Sequence, residues 1–334
     1  MTTGLGGMDV AMATATAMAV ALVAVMRKRM VERYPTTVQV EELVYYPVKA
    51  LAPVRPNRVR VVRRGIQHDR RFMVTDNEGN FITQRQYPRL ALVQVRVEGE
   101  DWESPELEPA VTDRHTLVIT APGMPELRVS HWMRGEPLAS VRVWDSHVPG
   151  ARDQGREAGL WFSKFLDLPF ECRLVYMASG EASRPTKRAP EHEVSFADGY
   201  PLLITSTSSL RDLNARIPSR EVIPMERFMP NLVVSGLAPW MEDTVGLTLE
   251  WTDSAGRTGR VFMNKPCDRC KVTTIVPSLG EFSPTDEPMR TLATFRRIKY
   301  DAGVYFGGNL LVLSEAVLSV GDTLRVTWPW QVEN

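Results

Sequence analysis

What most limits the fold of this chain is the shortness of its apolar runs. Beyond residue 36, β-branched and aromatic residues come in brief stretches punctuated by Gly, Pro, Asn and Asp, a pattern that favours strands over long helices. Residues 37–49 (TVQVEELVYYPVK) begin with alternating character, and residues 58–62, 71–75, 92–97, 116–120 and 140–144 share it. Asn77-Glu78-Gly79-Asn80 supplies a turn between residues 72–74 and 81–83, which predicts a hairpin. The clear exception is a helix over residues 154–166. There Ala158, Trp161, Phe162, Phe165 and Leu166 recur at helical spacing, and Asp153 is available as N-cap. That stripe is a core face.

Residues 178–193 (ASGEASRPTKRAPEHE) are small, charged and broken by prolines, which predicts a loop or domain boundary. Beyond it, strands are expected at 201–205, 231–235, 246–251, 259–263, 271–276, 305–313 and in the closing VGDTLRVTW. Helices are expected at 208–217, after a capping Ser/Thr cluster, and at 288–297. The total is an α+β chain of two β-rich halves built around curled sheets or barrels. A length of 334 residues suits two domains, 34–177 and 194–330, flanking the boundary.

Forty basic and forty acidic residues give a net charge of zero, so no bulk field draws in nucleic acid. An anion site must then be a local gathering of cations. Three cysteines, Cys172, Cys267 and Cys270, are too few for a disulfide scaffold and favour a reducing compartment. The first 33 residues differ in kind. Residues 10–26 are an uncharged run of 17, followed at once by Arg27-Lys28-Arg29 and Arg33. That length is at the lower limit for spanning a bilayer core. A basic cluster after the run keeps the large remainder of the chain in the cytosol. The expectation is one N-terminal membrane anchor within residues 1–33; the alternative is an alanine-rich disordered leader.

Chemistry centres on KPCDRCKVTT, residues 265–274. A Cys-x-x-Cys pair supplies half of a zinc site, but neither Cys172 nor the five histidines make a second pair at ligand spacing. A thioredoxin-like pair belongs between a strand and a helix, whereas this one lies between two strand-like segments. Two buried structural cysteines remain a competing reading. Against it, Arg269 with Lys265 or Lys271 would lower a thiol pKa and favour the metal-binding thiolate.

Other stretches are ordinary when taken singly: YPVK ending at Lys49, DRRFMV with Arg70 and Arg71, and FITQRQYPRL with Arg85 and Arg89. FADGYPLLI, PNLVVSG, CDRCKVTT, FGGNL and VGDTLRV come after them in order. Together, from about residue 38 to 326, they resemble the mitochondrial amidoxime reducing components among the MOSC-domain molybdenum proteins. The resemblance implies a MOSC-type β-barrel domain preceded by a β-barrel-like N-terminal MOSC domain. It also implies molybdenum held by molybdopterin, with one cysteine thiolate, here Cys270, completing the protein ligation. Thiolate is a soft ligand suited to such a centre.

By the same resemblance Lys49, Ala50 and Arg70 meet the cofactor's phosphate and pterin. Gly199, Tyr200, Pro201, Asn231, Asp268, Arg269 and Asn309 match its other cofactor-contacting stretches. Two positions depart from the family pattern. Ala50 stands where serine is common, and Met229 stands where arginine precedes PN, with Arg227 two residues earlier. The implied activity is reduction of small N-hydroxylated compounds: amidoximes, hydroxamic acids and N-hydroxylated bases. No flavin, nicotinamide or iron–sulfur fingerprint is visible in the chain. The resemblance therefore assigns electron supply to cytochrome b5 and its NADH-dependent reductase, and the location to the mitochondrial outer membrane with the catalytic domain facing the cytosol. The competing readings are a non-catalytic cofactor carrier and a cofactor-free structural protein.

Overall fold

The computed structural model describes residues 34–100, 102, 115–186, 188–219, 221–297 and 302–331. The expected anchor lies outside them. Among the described residues no helix is long and apolar enough to cross a membrane.

Seven strands close into a barrel. In order around it they are Thr37–Leu43, Leu232–Ser235, Leu202–Ser206, Tyr305–Ser314, Thr258–Asp268, Thr248–Thr252 and Thr323–Thr327, which pairs back onto the first. The first of these comes from the N-terminal end of the chain, so the barrel is completed from both halves. Its alternation turns Val38 and Val40 inward. A register shift between Val40 and Glu42 then brings Leu43 to the inner face; a bulge restores a buried position that strict alternation would lose.

Most barrel neighbours are antiparallel. The Leu202–Ser206 and Leu232–Ser235 strands are parallel, joined through the Thr207–Arg216 helix, as a parallel pair requires. Ser206 caps that helix by accepting the Ser209 N–H at 3.1 Å. The interior is filled by Leu202, Ile204, Val234, Leu249, Val261, Met263, Leu310 and Leu324.

Among the described residues the other half is built from several small sheets. One sheet orders four strands, Phe72–Thr75, Arg173–Tyr176, Arg152–Asp153 and Glu136–Pro137, and another pairs Gln94–Glu98, Thr116–Thr120 and Leu127–Ser130. The Arg156–Leu166 helix covers a second core with Trp161, Phe162 and Phe165. Asp153 does not cap it. Gly155 holds the N-cap position, and Asp153 instead accepts the Gly155 N–H at 2.9 Å and an Arg173 N–H at 2.6 Å. The Asn77–Asn80 turn forms as expected, fastened by the Asp76 carboxylate, which accepts the Glu78 and Asn80 N–H groups at 2.9 and 2.8 Å.

Residues 271–276, expected as strand, open instead with a 3-10 turn, Lys271–Thr274. The hydroxyls of Thr273 and Thr274 donate to the carbonyls of Cys270 and Lys271, at 3.0 and 2.7 Å. Such local bonds compete with a strand ladder, and here they bend the chain directly after the cysteine pair.

The two halves touch closely at Gly65, in a short strand of the N-terminal half. Its φ is +104°, and a Cβ there would lie 2.2 Å from the Pro201 carbonyl oxygen. Gly65→Ala should therefore destabilise the fold by at least about 2 kcal/mol, through overpacking and positive-φ strain together. Chemical denaturation measures this, and an unchanged midpoint would show that the contact does not constrain the fold.

Candidate functional site

The longest barrel strand, Thr258–Asp268, ends in the cysteine motif, and its partner Tyr305–Ser314 carries Asn309 beside it. Their pairing shifts register three times, the last between Pro266 and Asp268. Irregularity of this kind re-aims side chains at a rim. At that rim opens a cleft lined by residues from both halves of the chain.

Lys49, Ala50 and Arg70 line the cleft from the N-terminal half, and Gly199, Tyr200 and Asn231 from the opposite wall. Arg269, Cys270 and Asn309 complete the expected set there. Pro201 and Asp268 do not line it. Pro201 is buried, and Asp268 faces outward to Lys265 at 3.0 Å. The structure adds Asp198, Arg85, Gln84 and Thr83 to the lining. Arg85 and Asp198 stand within the motifs FITQRQYPRL and FADGYPLLI, but nothing in either motif marks a role for them.

Neither Cys267 nor Cys270 is a buried structural cysteine; both are half-buried, and Cys172 alone is buried. Cys270 Sγ accepts a hydrogen bond from Arg85 Nη2 at 3.1 Å, and Cys267 Sγ accepts one from Arg269 Nη1 at 2.9 Å. The lysines named from sequence are engaged elsewhere: Lys265 with Asp268, and Lys271 over the Phe282 ring at 4.3 Å. Burial pushes the Cys267 thiol pKa up, and the opposing charge of Arg269 does not cancel it. At Cys267, then, the neighbouring arginine does not win over burial.

Lys49 and Arg70 are each paired with a carboxylate. Lys49, 7% exposed, lies 2.5 Å from Asp198. Burial pushes its ammonium pKa down while Asp198 pulls it up. The surrounding protein disfavours charge on Asp198, yet Lys49 and Arg85 outweigh this and hold its carboxyl below the usual carboxylate range. Arg70 donates to Asp69 at 2.6 Å and lies 4.5 Å from the Tyr46 ring centroid. Burial works against its charge, but Asp69 holds the guanidinium pKa above normal.

Asn231 is almost fully engaged by the protein. Its Oδ1 accepts the Leu203 N–H at 3.1 Å and its Nδ2 donates to the Val44 carbonyl at 3.1 Å. It ties the two halves together, so a free amide edge for a pterin is not what it offers. Arg227 does not replace the arginine missing at Met229. It is buried, and donates to Glu221 at 2.8 Å and to the Glu287 carbonyl at 3.0 Å.

Ala50, Arg70 and Met229 all adopt positive φ, at 67°, 49° and 51°. Each costs on the order of 1 kcal/mol or more in a non-glycine residue. Their shared location in one cleft marks a shape maintained by its surroundings.

Beside Arg70, His68, Glu100 and His115 converge although no sequence spacing links them. Arg60 takes the other Glu100 oxygen at 2.5 Å and supplies its counter-charge. Burial favours neutral His68. This knot anchors the turn that leads into Asp69 and Arg70.

Two domain matches agree with this geometry. Residues 37–169 match the MOSC N-terminal beta barrel domain, and residues 191–325 match the MOSC domain. The fold and cleft thus define a MOSC-domain protein. The chain is 30% identical over 312 residues to mitochondrial amidoxime reducing component 2 of Macaca fascicularis, covering 89% of this chain and 84% of that protein. It is also 30% identical to component 2 of Rattus norvegicus, covering 89% and 84%. Component 1 of Mus musculus is 28% identical, covering 89% and 83%. The chain belongs to the mitochondrial amidoxime reducing component family.

If Lys49 and Arg70 hold an anionic cofactor, Lys49→Ala and Arg70→Ala should each lower its affinity by about tenfold to a hundredfold, the loss of one charge-assisted contact. Arg227→Ala should instead lower stability and leave the affinity near wild type. Pterin content of the purified proteins, with thermal melts alongside, measures both; normal content in both cleft variants would return those cations to a structural role.

Proposed function

We propose that this chain is a molybdenum-cofactor-dependent reductase of N-hydroxylated compounds. The observation that carries the reading is a half-buried thiol, Cys270, sharing one cleft with two largely buried cations, Lys49 and Arg70. The cleft's donor set fits molybdopterin. Thiolate is a soft ligand for molybdenum, and Lys and Arg suit a phosphate. Arg269 Nε is also buried in the wall without a partner among the described residues, a donor that a bound ligand could satisfy. Ala50 brings no hydroxyl and Met229 no charge, so this cleft holds the cofactor with fewer polar contacts than the family pattern.

In this reading Cys270 is the protein's metal ligand and Cys267 a neighbour held by Arg269. Lys49 and Arg70 hold the phosphate. Asn231 orients the wall, and Asn309, Gly199 and Tyr200 frame the pterin. When bound, the molybdenum centre supplies the two-electron chemistry that breaks a substrate N–O bond. In net terms, an N-hydroxylated substrate with two electrons and two protons yields the reduced nitrogen compound and water. Cytochrome b5 and its NADH-dependent reductase would deliver the electrons. Residues 10–26 would anchor the protein in the mitochondrial outer membrane, with the catalytic domain in the cytosol.

Cys270→Ser should abolish benzamidoxime reduction, and Cys267→Ser should retain substantial activity. Equal loss in both would indicate a redox pair or a shared metal site. The purified chain with NADH alone should be inactive, with turnover appearing when cytochrome b5 and its reductase are added. Direct NADH oxidation by the chain would contradict this electron route.

A further inference from the structure

Arg85 lies in a turn built to deliver it. Thr83 Oγ1 accepts the Arg85 N–H at 3.2 Å, and the Gln86 side chain folds back onto the Thr83 N–H at 3.3 Å. Gln84 beside it donates to the Ala50 carbonyl at 2.7 Å, fastening the turn to the cleft wall. From this base the guanidinium reaches Cys270 Sγ at 3.1 Å. It also lies 4.6 Å from the Trp144 ring centroid and 4.0 Å from the Asp198 carboxylate. Trp144, 42% exposed, is fixed in turn by its indole N–H, which donates to Asp198 at 3.1 Å. Arginine keeps its charge at any physiological pH, and a planar fork stacked on an aromatic ring is oriented as well as charged.

We infer that Arg85 is a positioning residue for the metal-ligating sulfur, aiming Cys270 into the cleft and tuning its electron donation while Trp144 and Asp198 hold the guanidinium in place. The inference rests on the reading of Cys270 as ligand. Hydrogen bonds to a ligand atom set both its orientation and the electronic character of the metal it binds. A cationic donor on the sulfur draws electron density away from the metal. Its loss should therefore change the metal's spectroscopic signature, not merely the amount bound. Arg85 shares Asp198 with Lys49, so cofactor retention and sulfur positioning are measured separately.

The test uses the full chain loaded with cofactor, as wild type, Arg85→Met, Arg85→Lys and, as a control outside the cleft, Arg89→Ala. Molybdenum content, the electron paramagnetic resonance signal of the one-electron-reduced metal, and kcat and KM for benzamidoxime are measured together. Arg85→Met should keep molybdenum content within about twofold of wild type, shift the resonance, and lower kcat by about tenfold to a hundredfold with little change in KM. Arg85→Lys should fall between, and Arg89→Ala should match wild type. A wild-type resonance in molybdenum-loaded Arg85→Met would overturn the role of Arg85 while leaving the cofactor reading intact. Loss of molybdenum from both Arg85 variants would also overturn it, making Arg85 a retention residue. Wild-type protein that binds no molybdenum would overturn the cofactor reading and this inference with it.

Discussion

The cleft depends on one antiparallel pairing, between the Thr258–Asp268 and Tyr305–Ser314 strands. These are the longest strands of the barrel, and their shared ladder slips register three times before it reaches the rim. Without the final slip, between Pro266 and Asp268, the alternation of the strand would dictate where the cysteine motif points. With it, Asp268 faces out to Lys265 while the motif's two sulfurs and Arg269 turn into the cleft. The hydroxyl-bonded turn at Lys271–Thr274 then carries the chain away. A barrel closed by a strand from the chain's N-terminal end gives that rim a rigid base.

Charge in the cleft is local, and its two most buried cations each have a carboxylate partner. Lys49 is answered by Asp198 and Arg70 by Asp69, so the buried cations are not left uncompensated. The two pairs are not equivalent. Asp69 is buried and also accepts the Tyr46 N–H at 2.8 Å, which ties it to the backbone. Asp198 is exposed at the cleft mouth and held by side chains alone. An anionic ligand that takes Lys49 therefore competes with an exposed carboxylate that Trp144 and Arg85 also hold. The chain's zero net charge is compatible with this arrangement, because the field that matters is set within a few residues.

Local pattern made much of the fold legible. The apolar stripe of the Arg156–Leu166 helix, the Asp76-fastened turn and most of the barrel strands arise from spacing and turn chemistry that act over a few residues. What was not legible depends on contacts distant in sequence. Arg85 and Cys270 are 185 positions apart, and nothing near either one announces the other. Lys49 and Asp198 are separated by 149 positions, and His68, Glu100 and His115 meet only in the folded chain. Arg227 shows the opposite failure: closeness in sequence to Met229 suggested a substitute, but its side chain is committed to Glu221. Asn231 fits its family position, yet its amide is used to join the halves.

The central claim is that Cys270 is the protein ligand of a molybdenum centre. X-ray absorption at the molybdenum edge of the purified full chain tests it most directly. The account predicts molybdenum with dithiolene sulfurs and one further protein sulfur, which disappears in Cys270→Ser and persists in Cys267→Ser. A sulfur shell unchanged in Cys270→Ser, or a chain that carries no molybdenum, would contradict it.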